Sequence, residues 1–325
     1  MRAIIPVAGV GTRLRPHTYT LPKVLLNVAG KPILGHILDT LIEQGVTKAT
    51  IITGYMRKLV EDYVRSRYDI DVEFIPQKDS LGLGHAIWVA RETFNHEPLM
   101  IVLGDTIFDM NLKVAQESGL SSIGVKTVED PRRFGVVVTN RNGHIDRFEE
   151  KPETPISNRA IVGLYYIKDP MNLRSALEEI IDKDIKTRGE YQLTDALQLM
   201  LEKGEKFTVF PVHGWYDCGK PETLLSTNQY LLDQLPDIKA PKGCVIVPPV
   251  YIAPDATIER SVIGPHTTVA SGASVRDSVV RNSIVSDGAK VSTSLLEESI
   301  IGNSAVVRGH FNRLNVGNSS EINYK

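Results

Sequence analysis

Apolar runs alternate with amphipathic stretches over the first two thirds of the chain. The runs are rich in β-branched residues and predict buried strands at Ala3–Val7, Ala49–Thr53, Val72–Ile75 and Leu99–Leu103. Between them, apolar residues recur at helical spacing in His36–Gln44 and Arg57–Arg67. Such alternation predicts an α/β domain with helices on both faces of a mainly parallel sheet.

The pattern continues with a hairpin around Asn142-Gly143, a turn dipeptide that favours a tight two-stranded connection. Its strands are predicted at Phe134–Val138 and His144–Phe148. The remaining elements of this region are predicted strands at Ala160–Ile167 and Phe207–Val212, and predicted helices at Leu173–Lys183 and Leu193–Lys203.

Periodicity changes after residue 250. Aliphatic residues then recur every five or six positions, separated by Gly, Ser, Asp and Asn: Ile252, Ile258, Ile263, Val269, Val275, Val280, Val285, Val291, Leu296 and Ile301. This hexapeptide rhythm is typical of a parallel β-helix, and about three coils are expected. Prolines mark a linker before it, so we expect domains at 1–235 and 250–325 joined by a linker at 236–249.

Composition and charge exclude several classes of function. The chain has 325 residues, 42% of them hydrophobic and 23% charged, with a net charge of −2. We therefore expect a globular protein without general affinity for nucleic acid or membranes. The two cysteines, Cys218 and Cys244, form no Cys-x-x-Cys pair, and no apolar run has the length of a membrane span. These features favour a cytoplasmic protein.

The first strand leads into a glycine-rich loop, Ala8-Gly9-Val10-Gly11-Thr12-Arg13. Its glycines allow backbone N–H groups to approach a phosphate chain, and Arg13 and Lys23 add positive charge. A dinucleotide fingerprint is excluded because Leu14 replaces the third glycine, and a Walker A loop because Pro32 follows Gly30-Lys31. A plain strand-to-helix turn remains an alternative for the loop alone.

Polar residues follow other strands where ligands bind in such sheets. Gln77 could present a donor and an acceptor to a base edge, and Asp105 could be a hard-oxygen metal ligand. Taken alone, Asp105 also fits a turn or helix cap, and Glu150-Lys151 also fits a solvated surface pair.

The motifs Ala8-Gly9-Val10-Gly11-Thr12-Arg13-Leu14-x-Pro16, Pro22-Lys23 and Gly30-Lys31-Pro32 resemble the signature of the sugar-1-phosphate nucleotidylyltransferases. The long form is the more similar, exemplified by glucose-1-phosphate thymidylyltransferase with a C-terminal hexapeptide domain. The resemblance implies a Rossmann-like mixed sheet followed by a left-handed β-helix. It also implies the reaction of a nucleoside triphosphate with a sugar 1-phosphate, giving a nucleoside-diphosphate sugar and pyrophosphate.

The same resemblance implies roles for individual residues. The residues implied to bind the nucleotide are Ala8, Gly9, Gly11, Thr12, Arg13, Gln77 and Gly82. The residues implied to bind the sugar phosphate are Gly135, Glu150, Lys151, Gly163, Arg188 and either Tyr165 or Tyr166. Asp105 and Asp217 are the implied ligands of Mg²⁺, and the implied catalytic set is Arg13, Lys23, Asp105, Lys151 and Asp217.

The sequence alone leaves several choices for the nucleotide base and for the sugar of the implied reaction. The architecture and the tail Leu314–Ile322 favour dTTP with glucose 1-phosphate, whereas the short glycine loop and Gly84-His85-Ala86 favour UTP. Guanylyl transfer to mannose 1-phosphate is a third option. Two further hypotheses are a non-catalytic regulatory subunit and acyl transfer at His266 in the repeats. The β-helix is expected to serve structure and homo-oligomer formation.

Overall fold

The computed structural model describes residues 1–109, 111–311, 316, 317, 319 and 321. They form two compact units. The first comprises Met1–Leu26 and Lys31–Thr227, and the second comprises Asn27–Gly30 with the described residues of Asn228–Lys325. Much of the tail Leu314–Ile322, on which one family resemblance rests, lies outside the described residues. The domain boundaries expected from the sequence stay a prediction.

Thirteen strands and seven helices precede the repeat region in the described chain. The strands are β1 (Arg2–Pro6), β2 (Asn27–Val28), β3 (Lys31–Pro32), β4 (Lys48–Thr53), β5 (Asp71–Pro76), β6 (Leu99–Val102), β7 (Thr106–Asp109), β8 (Ser121–Thr127), β9 (Gly135–Thr139), β10 (Ile145–Glu150), β11 (Arg159–Ile167), β12 (Phe207–Pro211) and β13 (Gly214–Asp217). The helices are α1 (Ile33–Glu43), α2 (Arg57–Arg67), α3 (Leu83–Val89), α4 (Leu112–Gln116), α5 (Pro170–Asp182), α6 (Leu193–Glu202) and α7 (Pro221–Leu232). Across the described residues, no helix has both the length and the apolar character to cross a bilayer.

A nine-stranded mixed sheet forms the centre of the first unit. Its main path runs β10-β9-β11-β6-β1-β4-β5, and β8 joins β11 to β12. Strands β6, β1, β4 and β5 are parallel, whereas β11 is antiparallel to both β6 and β8. The Rossmann-like mixed sheet implied by the family resemblance is therefore confirmed, although only part of it has the parallel order that the hydrophobic pattern predicts.

Burial explains why these runs become strands. Ala3, Ile4 and Ile5 of β1 are completely buried, as expected for a parallel strand covered on both faces. On one side of the sheet a core cluster includes Ile4, Ile52 and Ile101 together with apolar residues of α3, α5 and α6. Removing each such side chain from water contributes roughly 1.5–3 kcal/mol, so the carboxyl ends of the strands are held on a rigid base.

The repeat region of the second unit consists of three parallel sheets of four strands each, consistent with a left-handed β-helix. The strands are β14 (Val245–Ile246), β15 (Val250–Ile252), β16 (Thr257–Glu259), β17 (Val262–Ile263), β18 (Thr267–Val269), β19 (Ser274–Arg276), β20 (Val279–Arg281), β21 (Ile284–Val285), β22 (Lys290–Ser292), β23 (Leu295–Glu297), β24 (Ile300–Ile301) and β25 (Val306–Arg308). The predicted aliphatic positions line or pack against its core.

Four coils are present where the sequence predicts about three. The additional coil begins with β14, inside the segment that its prolines mark as a linker. Val245 N donates to Ser261 O at 3.0 Å. This short strand therefore joins the sheet although prolines lie on both sides of it in the chain. Serine side chains link successive coils at the corners: Ser278 N donates to Ser261 Oγ, and Ser294 N to Ser278 Oγ.

Candidate functional site

The glycine loop follows β1 and closes into a short 3₁₀ turn at Thr12–Leu14. Gly11 has φ +67°, and a Cβ there would lie 3.0 Å from Lys23 Cβ. Glycine is therefore required by both conformation and space. Thr18 Oγ1 donates to Gly11 O at 2.8 Å and fixes the loop from the opposite side.

A second close approach brings Asp105 beside this loop. A Cβ on Gly104 would lie 2.4 Å from Val7 Cγ1 and 2.9 Å from Pro6 O. The chain leaving β6 can thus touch the chain leaving β1 only because residue 104 has no side chain. The carboxylate that follows is placed at the common carboxyl edge of the two parallel strands.

Lys23 and Asp105 form an ion pair, with Lys23 Nζ 2.7 Å from Asp105 Oδ2. Lys23 is only 7% exposed. A buried ammonium group is stabilised when a carboxylate pairs with it, and removing one partner leaves an uncompensated charge. Lys23 and Asp105, which the sequence predicts as separate site residues, therefore interact directly as an ion pair.

Asp217 reaches the same place from a distant part of the chain. Strand β13 pairs antiparallel with β7, which sets Asp217 opposite Thr106, and Cys218 N donates to Asp105 O at 3.0 Å. A Cβ on Gly219 would lie 2.8 Å from both Arg13 Nη2 and Asp217 Oδ1. Arg13, Asp105 and Asp217 thus converge at one edge of the sheet.

A cavity of about 450 Å³ opens beside the glycine loop. Every residue predicted to bind the nucleotide lines it, together with both members of the buried ion pair: Ala8, Gly9, Gly11, Thr12, Arg13, Gln77, Gly82, Lys23 and Asp105. The lining combines the backbone N–H groups of the glycine loop and two cations with the amide of Gln77. This distribution matches a ligand with a polyphosphate and a polar ring.

A second cavity of about 610 Å³ adjoins the first, because Arg13, Leu83, Leu103 and Asp105 line both. Asp217 lines this second cavity. So do most of the residues predicted to bind the sugar phosphate: Gly135, Glu150, Gly163 and Tyr165. Tyr165, rather than Tyr166, supplies the wall. Phe134 and Trp215 also border this cavity and pack edge to face, with ring centroids 5.1 Å apart.

Glu150 is held from two directions at the edge of the second cavity. Thr194 Oγ1 donates to Glu150 Oε2 at 2.8 Å, and Lys151 Nζ lies 3.3 Å from Glu150 Oε1. A Cβ on Gly135 would lie 2.9 Å from Glu150 Oε2, so the glycine leaves room for this carboxylate.

Two predicted residues lie outside both described cavity linings. Lys151 has φ +43°, and its side chain pairs with Glu150 instead of entering the cavity. Arg188 Nη2 donates to Lys151 O at 2.7 Å. Arg188 therefore contacts the backbone of the predicted phosphate-binding lysine, and Glu190, two residues further on, lines the first cavity.

Several lining residues were not identified from the sequence. The sequence predicts Thr194 only as part of a helix, and it predicts no role for Lys220 or Thr223, which follow Asp217 in the chain. Thr223 Oγ1 donates to Asp217 Oδ2 at 3.4 Å. The one available signal was their position within a few residues of a predicted site residue.

The carboxylate at Glu150 also affects its neighbours. Burial raises the pKa of Asp195, and the negative charge of Glu150 adds to this, while a hydrogen bond from Thr187 opposes it. Burial likewise raises the pKa of Tyr165, with Glu150 again contributing. Tyr165 is therefore a neutral hydrogen-bonding wall at physiological pH.

The carboxylates near the boundary of the two cavities fit a divalent cation that is completed by ligands from substrate. Among the described residues, no group of three or more His, Cys, Asp or Glu side chains could hold a metal. Asp105 and Asp217 nevertheless border the same cavity. Mg²⁺ is commonly bound through one or two carboxylates plus substrate phosphates, so this pair fits Mg²⁺ better than a metal that needs a complete protein cage.

Several known proteins resemble this chain in sequence or in fold. Residues 2–234 match the family model described as nucleotidyl transferase. The low-salt glycan biosynthesis nucleotidyltransferase Agl11 of Haloferax volcanii is 34% identical over 72% of this chain and 66% of its own length, just under two thirds. A glucose-1-phosphate thymidylyltransferase of Streptomyces griseus is 29% identical over 88% of this chain and 87% of its own.

Among solved structures, UDP-glucose pyrophosphorylase complexed with UDP-glucose superposes with a TM-score of 0.63 at 25% identity. The match covers 72% of this chain and 99% of that one.

Proposed function

Because the chain belongs to the nucleotidyl transferase family, we propose that it joins a nucleoside triphosphate to a sugar 1-phosphate and releases pyrophosphate. The observation that carries this proposal is the pair of adjoining cavities. One is lined by the glycine loop and Gln77 and the other by Glu150 and Tyr165, and Arg13 and Asp105 lie where they meet. Two substrates bound side by side would bring their phosphates to that boundary.

The reaction needs no protein nucleophile. A phosphate oxygen of the sugar 1-phosphate attacks the α-phosphorus of the triphosphate, and the bond from this phosphorus to the bridging oxygen of pyrophosphate breaks. The protein's contribution is then to position both phosphates and to stabilise their charge. Arg13 and Lys23 supply that charge on the nucleotide side, together with the N–H groups of the glycine loop.

Asp105 and Asp217 would hold Mg²⁺. When bound, the cation would neutralise phosphate charge and help to orient the triphosphate. Lys23 already neutralises part of the carboxylate charge at this place, with its ammonium group 2.7 Å from Asp105. The two acidic residues would therefore face a cation on the protein side and a polyanion on the ligand side.

On the sugar side, Glu150 would accept hydrogen bonds from sugar hydroxyls, and Gly135 would offer its backbone N–H. Lys151 would bind the sugar phosphate after its ammonium group leaves Glu150, from which it is 3.3 Å away. Arg188 supports the Lys151 backbone through its carbonyl oxygen. Gly163, with φ +93° and Leu103 against it, keeps the floor of this cavity open.

We propose dTTP and glucose 1-phosphate as the substrates. The supporting observation is that the S. griseus thymidylyltransferase is similar over 88% of this chain, well beyond the first unit. UTP with glucose 1-phosphate is the second candidate, favoured by the likeness to UDP-glucose pyrophosphorylase. Guanylyl transfer to mannose 1-phosphate is the third.

Pyrophosphate release tests the proposal. The purified chain is incubated with Mg²⁺ and each of dTTP, UTP, GTP, ATP and CTP, in every combination with glucose 1-phosphate, mannose 1-phosphate and other sugar phosphates. Turnover of one pair, with the nucleotide sugar identified by mass spectrometry, supports the activity. Nucleotide binding without turnover of any pair would favour a regulatory subunit instead.

Acyl transfer by the β-helix is a separate hypothesis. His266 Nε2 lies 2.9 Å from Asp233 Oδ1, so the imidazole has a carboxylate partner. Acyl-CoA turnover that depends on His266 would support this activity, and it is measured in the same preparation.

A further inference from the structure

His85 lies behind the amide that lines the first cavity. Gln77 lines that cavity, and its Nε2 is 3.1 Å from His85 Nδ1. Gln77 Nε2 also donates to Gly82 O at 3.3 Å. One amide nitrogen is thus shared between a backbone carbonyl and an imidazole nitrogen.

These two contacts define the orientation of the amide. Gly82 O can only accept, so the group facing it must be the NH₂ of Gln77 rather than its carbonyl oxygen. The second hydrogen of the same NH₂ is then directed at His85 Nδ1, which must carry a lone pair. The imidazole is therefore neutral, with its proton on Nε2.

The surroundings of His85 support this tautomer. The side chain is 9% exposed, and its ring stacks on Trp88 with centroids 5.7 Å apart. Burial lowers the pKa of His85, whereas the charge of Asp79 and a hydrogen bond to the Asp79 backbone oppose that shift. Tyr191 is the other titratable neighbour, with its ring centroid 6.4 Å away.

Gly82 itself is fixed. Tyr191 N donates to Leu81 O at 2.9 Å, Gly84 N donates to Tyr191 O at 2.8 Å, and a Cβ on Gly82 would lie 2.5 Å from Tyr191 O. The acceptor that orients Gln77 is therefore part of a rigid loop, and the flexible partner in the arrangement is the glutamine.

We propose that His85 is a positioning residue that holds the Gln77 amide so that Oε1, an acceptor, is the atom offered to the nucleobase. An acceptor at this point favours a base that presents a ring N–H, such as N3–H of uracil or thymine, over cytosine, whose N3 is itself an acceptor. The inference rests on the proposed function, since it assumes that the first cavity takes the base.

Two variants separate this role from simple packing. His85→Asn keeps an acceptor near the position of Nδ1 but loses the ring that stacks on Trp88. His85→Phe keeps an aromatic ring and loses the acceptor. A positioning role predicts that His85→Phe loses affinity and His85→Asn retains it, whereas a packing role predicts the opposite order.

The measurement is nucleotide binding by calorimetry, with dTTP, UTP and CTP, for the wild type and both variants. We expect His85→Phe to weaken dTTP or UTP binding about tenfold and to narrow the preference for these nucleotides over CTP. In this variant the Gln77 amide keeps only its 3.3 Å contact with Gly82 O, so it is held less firmly and can more readily turn its NH₂ toward the base. In steady-state assays KM for the nucleotide should rise while kcat changes little.

The outcomes distinguish the two proposals. Wild-type affinity and selectivity in folded His85→Phe would overturn the positioning role while leaving nucleotidyl transfer intact. If the wild type binds nucleotides without turnover, the binding data still decide the role of His85, and only the transfer activity fails. Absence of nucleotide binding in the wild type would overturn both.

Discussion

At the scale of single residues, four charged side chains lie close together near the boundary between the two cavities. Arg13 and Asp105 line both cavities, Lys23 lines the first and Asp217 lines the second, although residues 13 and 217 are 204 positions apart in the chain. Lys23 and Asp105 form an ion pair at 2.7 Å. Gly104 lets the chain that carries Asp105 approach β1, and Gly219 leaves room for Arg13 beside Asp217. Small residues are thus as necessary to this site as charged ones.

Asp217→Asn tests the carboxylate pair. The amide has the shape of the carboxylate but lacks its charge, so we expect turnover to fall by roughly two orders of magnitude or more. The melting temperature should change little, because the Asp217 carboxylate borders a cavity and not the core. Asp62→Asn, at an exposed helix position, is the control. Activity like that of the wild type in Asp217→Asn would contradict the metal assignment.

The titration of His85 gives a prediction for stability. Its pKa is lower in the folded chain than the ordinary 6.5, so the unfolded chain binds the proton more tightly. The neutral ring therefore contributes stability fully above pH 6.5, and this contribution is lost as the pH falls through the lowered value. Urea unfolding at pH 7.5 and 5.5 should show a larger acid loss for the wild type than for His85→Asn. Equal losses would contradict the prediction.

At the scale of elements, the sugar side of the site depends on contact between β10 and α6. Strand β10 ends at Glu150, and Thr194 in the first turn of α6 donates to its carboxylate. Glu150 is therefore oriented by a helix that is anchored in the core through Leu193 and Leu197. This arrangement lets a residue distant in sequence determine where the carboxylate points.

Thr194→Val removes this donor while conserving shape. We expect KM for the sugar 1-phosphate to rise about tenfold, the size expected for one hydrogen bond to a charged group, with KM for the nucleotide unchanged. Steady-state kinetics with each substrate varied in turn would measure both. Thr208→Val, at the surface-exposed hydroxyl pair with Ser118, is the matched control. An equal rise in both KM values would indicate a general disturbance of the fold instead.

Much of this arrangement could be predicted from sequence. The apolar run Ala3–Val7 predicts β1 to within one residue, because this strand is buried on both faces. The helix Arg57–Arg67 is predicted with its observed bounds from the helical spacing of its apolar residues, of which Val60 and Val64 are buried. Strand β8 was missed because its Ser121 and Ser122 are polar, although both are buried in the structure.

At the site, too, the features that the sequence does not predict depend on tertiary packing. Motif matching placed the glycine loop and the carboxylates, but it carried Lys151 and Arg188 into a cavity that neither lines in the described chain. The positive φ of both residues and their contact with each other depend on tertiary packing. The hydrogen bond from Gln77 to His85 likewise joins a loop to a helix and has no sequence motif of its own.

At the scale of the whole molecule, the repeat region has an unusual outer surface. Sheet β14-β17-β20-β23 places Val245, Val262, Val279 and Leu295 in register, one above the other. Leu295 is 85% exposed and Val245 56%, while the next residue of each strand points to the core. We call these four residues the aliphatic ladder. Val279 is 36% exposed and Val262 is partly buried, so the ladder is an apolar strip with its most exposed residues at the two ends. Such a strip is typical of a contact surface rather than of a solvated face.

We expect copies of the chain to associate through the aliphatic ladder, so that Leu295→Glu lowers the oligomeric mass measured by light scattering. Val306→Glu is a matched control, since Val306 is 52% exposed but stands in register with Lys290, on a sheet without such a strip. Introducing a carboxylate among desolvated aliphatic groups costs several kcal/mol, whereas the same charge on a solvated face costs little. A wild-type monomer, or equal effects of the two substitutions, would show that the ladder is not the surface that joins copies of this chain. A selective loss of mass in Leu295→Glu with wild-type pyrophosphate release would instead assign assembly to the repeats and chemistry to the first unit.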